Sequence, residues 1–272
     1  MPSTVLITGA SSGIGKATAH HFASKGWNVV ATMRSPEDAG DLASDRVLVR
    51  RLDLLDPESI HASVADANDR FGSIDVLVNN AGYGAYGPLE ATSMEVLRRQ
   101  FDVNFFGLVE LTKAVLPGMR VQKGGTIVNV SSVGGRMCYP FGALYHGSKW
   151  AVEGLSEALH FEVRLFGGHV KIVEPGGVNT DFAGRSFVFT NDAALGEYQP
   201  LVRAFVETMS TMDTSTNQQP EEVAEIIWQA ATDGTDQLRY VSGEAAKATL
   251  GHRYSLEQDE AFVAGMRATY GL

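Results

Sequence analysis

The chain has 272 residues, 44% hydrophobic and 20% charged, with 22 basic against 32 acidic side chains and a net charge of −10. This size and balance fit one large globular domain or two small ones, and they exclude a disordered chain, a collagen and a coiled coil. The lone Cys138 permits neither an intrachain disulfide nor a Cys/His zinc site, and the acidic total argues against a nucleic-acid surface.

In chain order, apolar β-branched runs alternate with helical patterns. The run 4–8 stops at Gly9 and is followed by a helical stretch over about 13–25. Strands are expected at 27–33 and 47–52. Asp56-Pro57-Glu58 then opens a helix, with Asp as N-cap and Pro at the first helical position. A strand at 75–79, a long helix over roughly 94–119, a strand at 125–131, a helix over about 145–166 and a strand at 169–174 come next. Pro220 begins a helix to about 231, and a short strand follows near 238–241. The strands are near-continuous apolar runs rather than alternating ones. That pattern predicts a parallel sheet buried on both faces, a doubly wound α/β fold of the Rossmann type in a single domain over 1–272. Segment 181–219 breaks the alternation. It mixes Phe182, Phe187, Phe189 and Tyr198 with the polar tract 214–219, and is expected to form a mobile, helical substrate lid before the last strand. No apolar run nears the ~18 residues of a membrane span, and no basic-then-apolar leader opens the chain, so no membrane contact and a cytoplasmic location are expected.

Glycine is unevenly spread, with 22 of 29 at or before Gly177. Ordering glycine is costly, so the cluster asks for tight turns or close backbone approach to a ligand. The first strand ends in Thr8-Gly9-Ala10-Ser11-Ser12-Gly13-Ile14-Gly15, where a helix begins. Such a turn can hold a pyrophosphate on free N–H groups and the positive end of a helix dipole. An ordinary tight connection would also use glycine; the place at the first strand of a βαβ unit favours the cofactor reading. The second strand ends Ala31-Thr32-Met33-Arg34, with no acid until Glu37. An acid there would hold the ribose hydroxyls of NAD, whereas an Arg accommodates a 2′-phosphate, so NADP is expected over NAD. Asp53 reads equally well as an acceptor for the adenine amino group or as a loop acid.

Tyr145 and Lys149 are four apart at a helix start and share one face. A free phenol titrates near ~10, too high for acid–base work at neutrality, and a neighbouring ammonium is expected to lower it. Ser132, at the end of the fifth strand, would point into the same crevice.

Together these segments resemble the short-chain dehydrogenase/reductase superfamily. The resemblance is carried by 8–15, Asn79-Asn80-Ala81-Gly82, Asn104, Ser132, Tyr145-His146-Gly147-Ser148-Lys149 and Pro175-Gly176-Gly177-Val178-Asn179-Thr180, in the family's order over about 4–180. It implies Tyr145 as the acid/base, Ser132 as the group holding the reacting oxygen, and Lys149 as the ribose contact that lowers the tyrosine. It implies Asn104 as the holder of a relay water. The implied cofactor contacts are Gly9, Ser11, Ser12, Gly13, Ile14, Gly15, Arg34, Asp53, Leu54, Asn80, Ala81, Gly82, Tyr145, Lys149, Pro175, Gly176, Val178 and Thr180. Gly147 replaces the common Ala, and His146 reads as a helix-surface residue. Cys138 reads as a small buried hydrophobe, and the scattered histidines offer no metal site.

The 145–166 helix carries two apolar stripes, and the second (Trp150, Gly154, Ala158, Phe161, Leu165) suggests a homodimer or homotetramer. Tyr83, Tyr86, 137–141 and the insertion would wall a pocket for a small hydrophobic ketone, aldehyde or alcohol. The expected activity is hydride transfer between NADPH and such a carbonyl, or the reverse. A non-catalytic NADP-sensing regulator is disfavoured by the complete set Asn104, Ser132, Tyr145 and Lys149, and a lyase on the same fold by the intact glycine turn.

Overall fold

The computed structural model describes residues 2–211 and 213–271, with Ala183 described by its backbone alone. Strand β1 (Thr4–Thr8) leads into α1 (Gly13–Ser24), β2 (Asn28–Met33), β3 (Val47–Arg51), α2 (Pro57–Phe71) and β4 (Val76–Asn79). Then come β5 (Gly84–Tyr86), α3 (Met94–Phe101), α4 (Gly107–Gln122), β6 (Gly125–Val130), α5 (Ala143–Val163) and β7 (Gly168–Pro175). The last part holds α6 (Phe182–Arg185), β8 (Phe187–Phe189), α7 (Gln199–Thr211), α8 (Pro220–Thr232), β9 (Arg239–Ser242), α9 (Glu244–Ser255) and α10 (Asp259–Tyr270).

Seven strands form one parallel sheet in the order β3-β2-β1-β4-β6-β7-β9, the expected Rossmann-type arrangement. Helices cover both faces, which is why strands such as Val5-Leu6-Ile7 are apolar on both sides. On one face Phe22 of α1, Trp27 and Trp228 of α8 meet edge to face at 4.9–5.5 Å. On the other, Leu6, Leu77 and Ile127 pack with Ile60 of α2, Leu111 of α4 and Leu159 of α5. The predicted cap of α2 is formed: Asp56 accepts from Ser59 N–H at 3.3 Å, with Pro57 behind it. The strand order reverses between β1 and β4, which opens a crevice at their carboxyl ends.

The structure departs from expectation in four places. The long helix over 94–119 is two helices, α3 and α4, separated by a π-helical turn at Asp102–Phe106. A second sheet pairs β5 with β8 in parallel; each strand has three residues, too short to show a period. The 181–219 insertion is not simply helical: β8 ties its start to β5, and its polar end returns to the core. There Gln218 N–H donates to Gly177 O at 3.0 Å, and Ser242 Oγ donates to Gln218 Oε1 at 2.8 Å. Only the stretch between those anchors, centred on α7, is left as the candidate lid. Finally, α9 and α10 extend beyond the last strand, and Ala246 and Leu250 of α9 pack on Val133 and Met137.

Lys171 on β7 is buried and anchors the far edge of the sheet. Its ammonium donates to Asp233 Oδ1 at 3.2 Å, Thr235 O at 2.6 Å, Gln237 O at 2.9 Å and Tyr240 Oη at 3.1 Å. One cation so joins the end of α8 to β9.

Candidate active site

The glycine turn lies at the topological switch point. Gly9 (φ +70°) and Gly13 (φ +53°) adopt left-handed backbone that other residues resist. At Gly15 a Cβ would stand 2.3 Å from Gly9 O, so only glycine lets α1 start this close to β1. Ser12 is the extended N-cap of α1 and makes no capping side-chain bond, while Ile14 packs on the core. Ser11 and Ser12 stay partly exposed beside the first-turn amides. A backbone without Cβ atoms at Gly9, Gly13 and Gly15, leading into a helix start with no side-chain cap, suits the diphosphate of a dinucleotide.

Thr8 ties the second predicted turn to the first. Its Oγ1 accepts from Asn80 N–H and Ala81 N–H, each at 3.0 Å, and Asn80 Nδ2 donates to Thr8 O at 2.8 Å. Gly82 is packed on Asn104, 3.2 Å from where its Cβ would be to Oδ1. From the other side, the Thr180 methyl comes 3.1 Å from a Cβ at Gly13, so the turn after Pro175 closes on the glycine turn. Gly176 sits against Ala246, and Val178 bridges to Gln218. Arg34 is exposed at the end of β2, directly after buried Met33, and makes no ion pair among the described residues. Asp53 Oδ1 accepts from Leu55 N–H at 3.0 Å, and Leu54 packs against Gly107.

Tyr145 and Lys149 lie on the first turns of α5, with Lys149 Nζ 5.9 Å from the Tyr145 ring centre. Lys149 is buried and Tyr145 half-buried, and that corrects one expectation. The Tyr145 phenol is pushed above its ordinary value because burial penalises the phenolate; the Ser132 hydroxyl pulls the other way. Lys149 does not lower it here. Its ammonium is itself pushed down to about 8 by burial, countered by Glu153, and donates to Val130 O at 2.9 Å. Ser132 Oγ accepts from Gly134 N–H at 3.0 Å. Asn104, in the π-helical turn, is pinned to Tyr83: Nδ2 donates to Tyr83 O at 2.9 Å and Oδ1 accepts from Tyr83 N–H at 3.0 Å. Nδ2 also reaches Ser148 Oγ at 3.2 Å.

Above Tyr145 stands an aromatic wall. Tyr86 stacks on Tyr145 at 5.5 Å and lies 5.1 Å from Phe187. Phe205 stacks on Phe189 at 5.6 Å and on Tyr270 at 6.2 Å, and Phe141 meets Phe205 edge-on at 5.5 Å. Of these, Tyr270 was not legible in the sequence, because nothing local marks the last helix as part of the pocket. Met137 faces away, into the α9 contact. Cys138 is exposed rather than a buried hydrophobe.

His146 also departs from the surface reading: it is 2% exposed. Two turns further along α5, Glu153 is buried, as is Glu174 of β7; the two stand beside Arg136 and Arg239, and burial pushes the Glu153 carboxyl up to about 7.

Comparison with known proteins places this site in a family. The short chain dehydrogenase model matches residues 3–188. An uncharacterized oxidoreductase of Schizosaccharomyces pombe is 42% identical over 247 residues, 88% of this chain and 100% of that protein. Retinol dehydrogenase 8 of Homo sapiens is 37% identical over 244 residues, 83% of this chain and 76% of that protein. A solved short-chain dehydrogenase from Streptomyces avermitilis aligns with a TM-score of 0.82 at 36% identity, covering 93% of each chain. The chain belongs to the short-chain dehydrogenase/reductase family. It is an oxidoreductase of a family that binds NAD or NADP.

Proposed function

We propose that the chain is an NADPH-dependent reductase of hydrophobic ketones or aldehydes, able to run as an alcohol dehydrogenase in reverse. The observation that carries this is the meeting of Ser132, Tyr145 and Lys149 beneath an uncharged aromatic wall, beside a glycine turn shaped for a dinucleotide. The amides of 9–15 would hold the diphosphate, and Arg34, with no acid before Glu37, would meet a 2′-phosphate. Asp53 and Leu54 would border the adenine, Asn80, Ala81 and Gly82 the ribose, and Pro175, Gly176, Val178 and Thr180 the nicotinamide.

The nicotinamide supplies the hydride. The chain's own task is position and proton. Ser132 Oγ holds the substrate oxygen, and Tyr145 Oη gives it the proton. Lys149, turned from Val130 O to the ribose hydroxyls, brings its positive charge beside the phenol and offsets the desolvation that raises it. Tyr86, Phe141, Phe187 and Phe189 exclude water and favour an apolar body. The relative named retinol dehydrogenase supports a lipophilic substrate. The second apolar stripe fits a homo-oligomer: Trp150 and Phe161 of α5, and Leu165 in the short turn just after it, are 50%, 70% and 89% exposed.

The test is NADPH oxidation across steroid, retinoid, aliphatic and aromatic carbonyls, repeated with NADH and with Tyr145→Phe. The expected result is turnover favouring NADPH, lost in the variant while NADPH binding remains. Near-normal turnover by Tyr145→Phe would refute the acid/base role, and a clear preference for NADH would refute the cofactor reading.

A further inference from the structure

The loop that carries Ser132 into the site runs from residue 132 to the start of α5, and one side chain bridges it from inside. His146 Nδ1 lies 2.9 Å from Gly134 O. A carbonyl can only accept, so Nδ1 carries the hydrogen. Nε2 is then a lone pair, and it faces the N–H of Tyr139 at 3.1 Å. The two partners agree on one neutral tautomer. Burial favours the same state, holding the imidazole below its usual value.

The slot for this ring is made by glycine. A Cβ at Gly134 would stand 2.7 Å from Nδ1, and one at Gly142 would stand 2.3 Å from Cδ2. The ring then meets Tyr145 edge-on at 5.5 Å and Tyr86 edge-on at 5.9 Å. Gly134 is the shared link. Its N–H donates to Ser132 Oγ at 3.0 Å, while its carbonyl receives Nδ1–H. The histidine so holds Gly134, the residue whose N–H orients the Ser132 hydroxyl. Through Tyr139 it fixes the strand of loop that ends in Phe141.

We propose that His146 is a positioning residue of the active site, which sets the Ser132 hydroxyl through Gly134 and the substrate wall through Tyr139. The role rests on the reductase reading above. It makes no claim on the hydride or the proton, because both ring nitrogens are occupied by backbone groups.

Two measurements on the full-length protein test it. The first is independent of turnover: nitrogen NMR of histidine-labelled protein, with and without NADPH, should show His146 at pH 7 as the neutral Nδ1–H tautomer. An imidazolium or an Nε2–H tautomer overturns the assignment. The second splits the two links. Asn places an amide nitrogen near the position of Nδ1, and Gln places an amide oxygen near that of Nε2. His146→Leu should lower kcat/KM for the carbonyl by about tenfold or more while leaving the NADPH Kd unchanged. His146→Asn should recover kcat with KM still raised, and His146→Gln should recover KM with kcat still low. An unchanged kcat/KM in His146→Leu, or Asn and Gln variants that fall exactly as far as Leu in both constants, overturns the positioning role alone. Wild-type protein that reduces no carbonyl overturns the reductase reading and the role with it.

Discussion

Replacing Gly15 by alanine puts the geometry of the glycine turn to a direct test. The new methyl would stand 2.3 Å from Gly9 O and 2.6 Å from Asn80 Nδ2. Comfortable contact is near ~3.5 Å, so the turn must give way by about 1 Å. Overpacking of that kind costs about 1–3 kcal/mol. For a chain of this length each kcal/mol moves Tm by roughly 2–4 °C, so the melting point should fall by about 2–12 °C. The displaced atoms include the carbonyl of Gly9 and the amide of Asn80, so NADPH affinity should fall at least ~10-fold, or about 1.4 kcal/mol. Gly147→Ala is the matched control. Its Cβ would meet Phe101 Cζ at 3.5 Å, an ordinary contact, within the helix α5. The same substitution should therefore stabilise by about 0.5–1 kcal/mol, raising Tm by roughly 1–4 °C. Thermal unfolding and fluorescence titration with NADPH read both variants. A Gly15→Ala protein that melts and binds as wild type does would refute the close approach of α1 to β1. A destabilised Gly147→Ala would refute the helix accounting.

Two further predictions concern buried cations. Lys171→Met should cost about 3 kcal/mol, because Asp233 and the carbonyls of Thr235 and Gln237 lose their shared donor; a Tm within error of wild type would show the cluster to be dispensable. Lys149, pushed down to about 8 from 10.5 by burial, contributes stability that is full above about pH 10.5 and lost as the pH falls through 8. Lys149→Met lacks that segment, so relative to wild type it should be more stable at pH 7 than at pH 10, by about 3 kcal/mol at most. Denaturant melts at both pH values measure the gap, and a gap independent of pH would contradict the burial of the ammonium.

Much of the site is legible along the chain because its parts are local. The glycine turn is fixed by residues 9–15, and Tyr145 and Lys149 are paired by one helical turn. The remainder is hidden for particular reasons. Strands β5 and β8 have three residues each, below the length at which alternation shows. The π-helical turn that holds Asn104 interrupts a helix pattern whose apolar period continues through it. His146 was misread because a polar residue on the first turn of a helix faces solvent by default. Its partners are a carbonyl and an amide, which carry no residue signature; the traces it leaves are the two glycines, 134 and 142, that make room for it. The raised phenol of Tyr145 needed burial to be known, and four-residue spacing to Lys149 says nothing about that.

The pairing of β5 with β8 has a consequence for the order in which the molecule comes together. It joins segments on the order of a hundred residues apart in sequence, through only three residue pairs. The β1–α1–β2 unit, by contrast, closes within the first thirty or so residues. Long closures with few contacts form late and open early. Amide exchange should therefore be faster at 84–86 and 187–189 than at β1 and β4. A partly opened molecule would still own its nucleotide crevice while lacking the aromatic wall above Tyr145. Heat or denaturant would then abolish turnover before it abolished cofactor binding, and the half of the protein that selects the substrate would be the half most open to change.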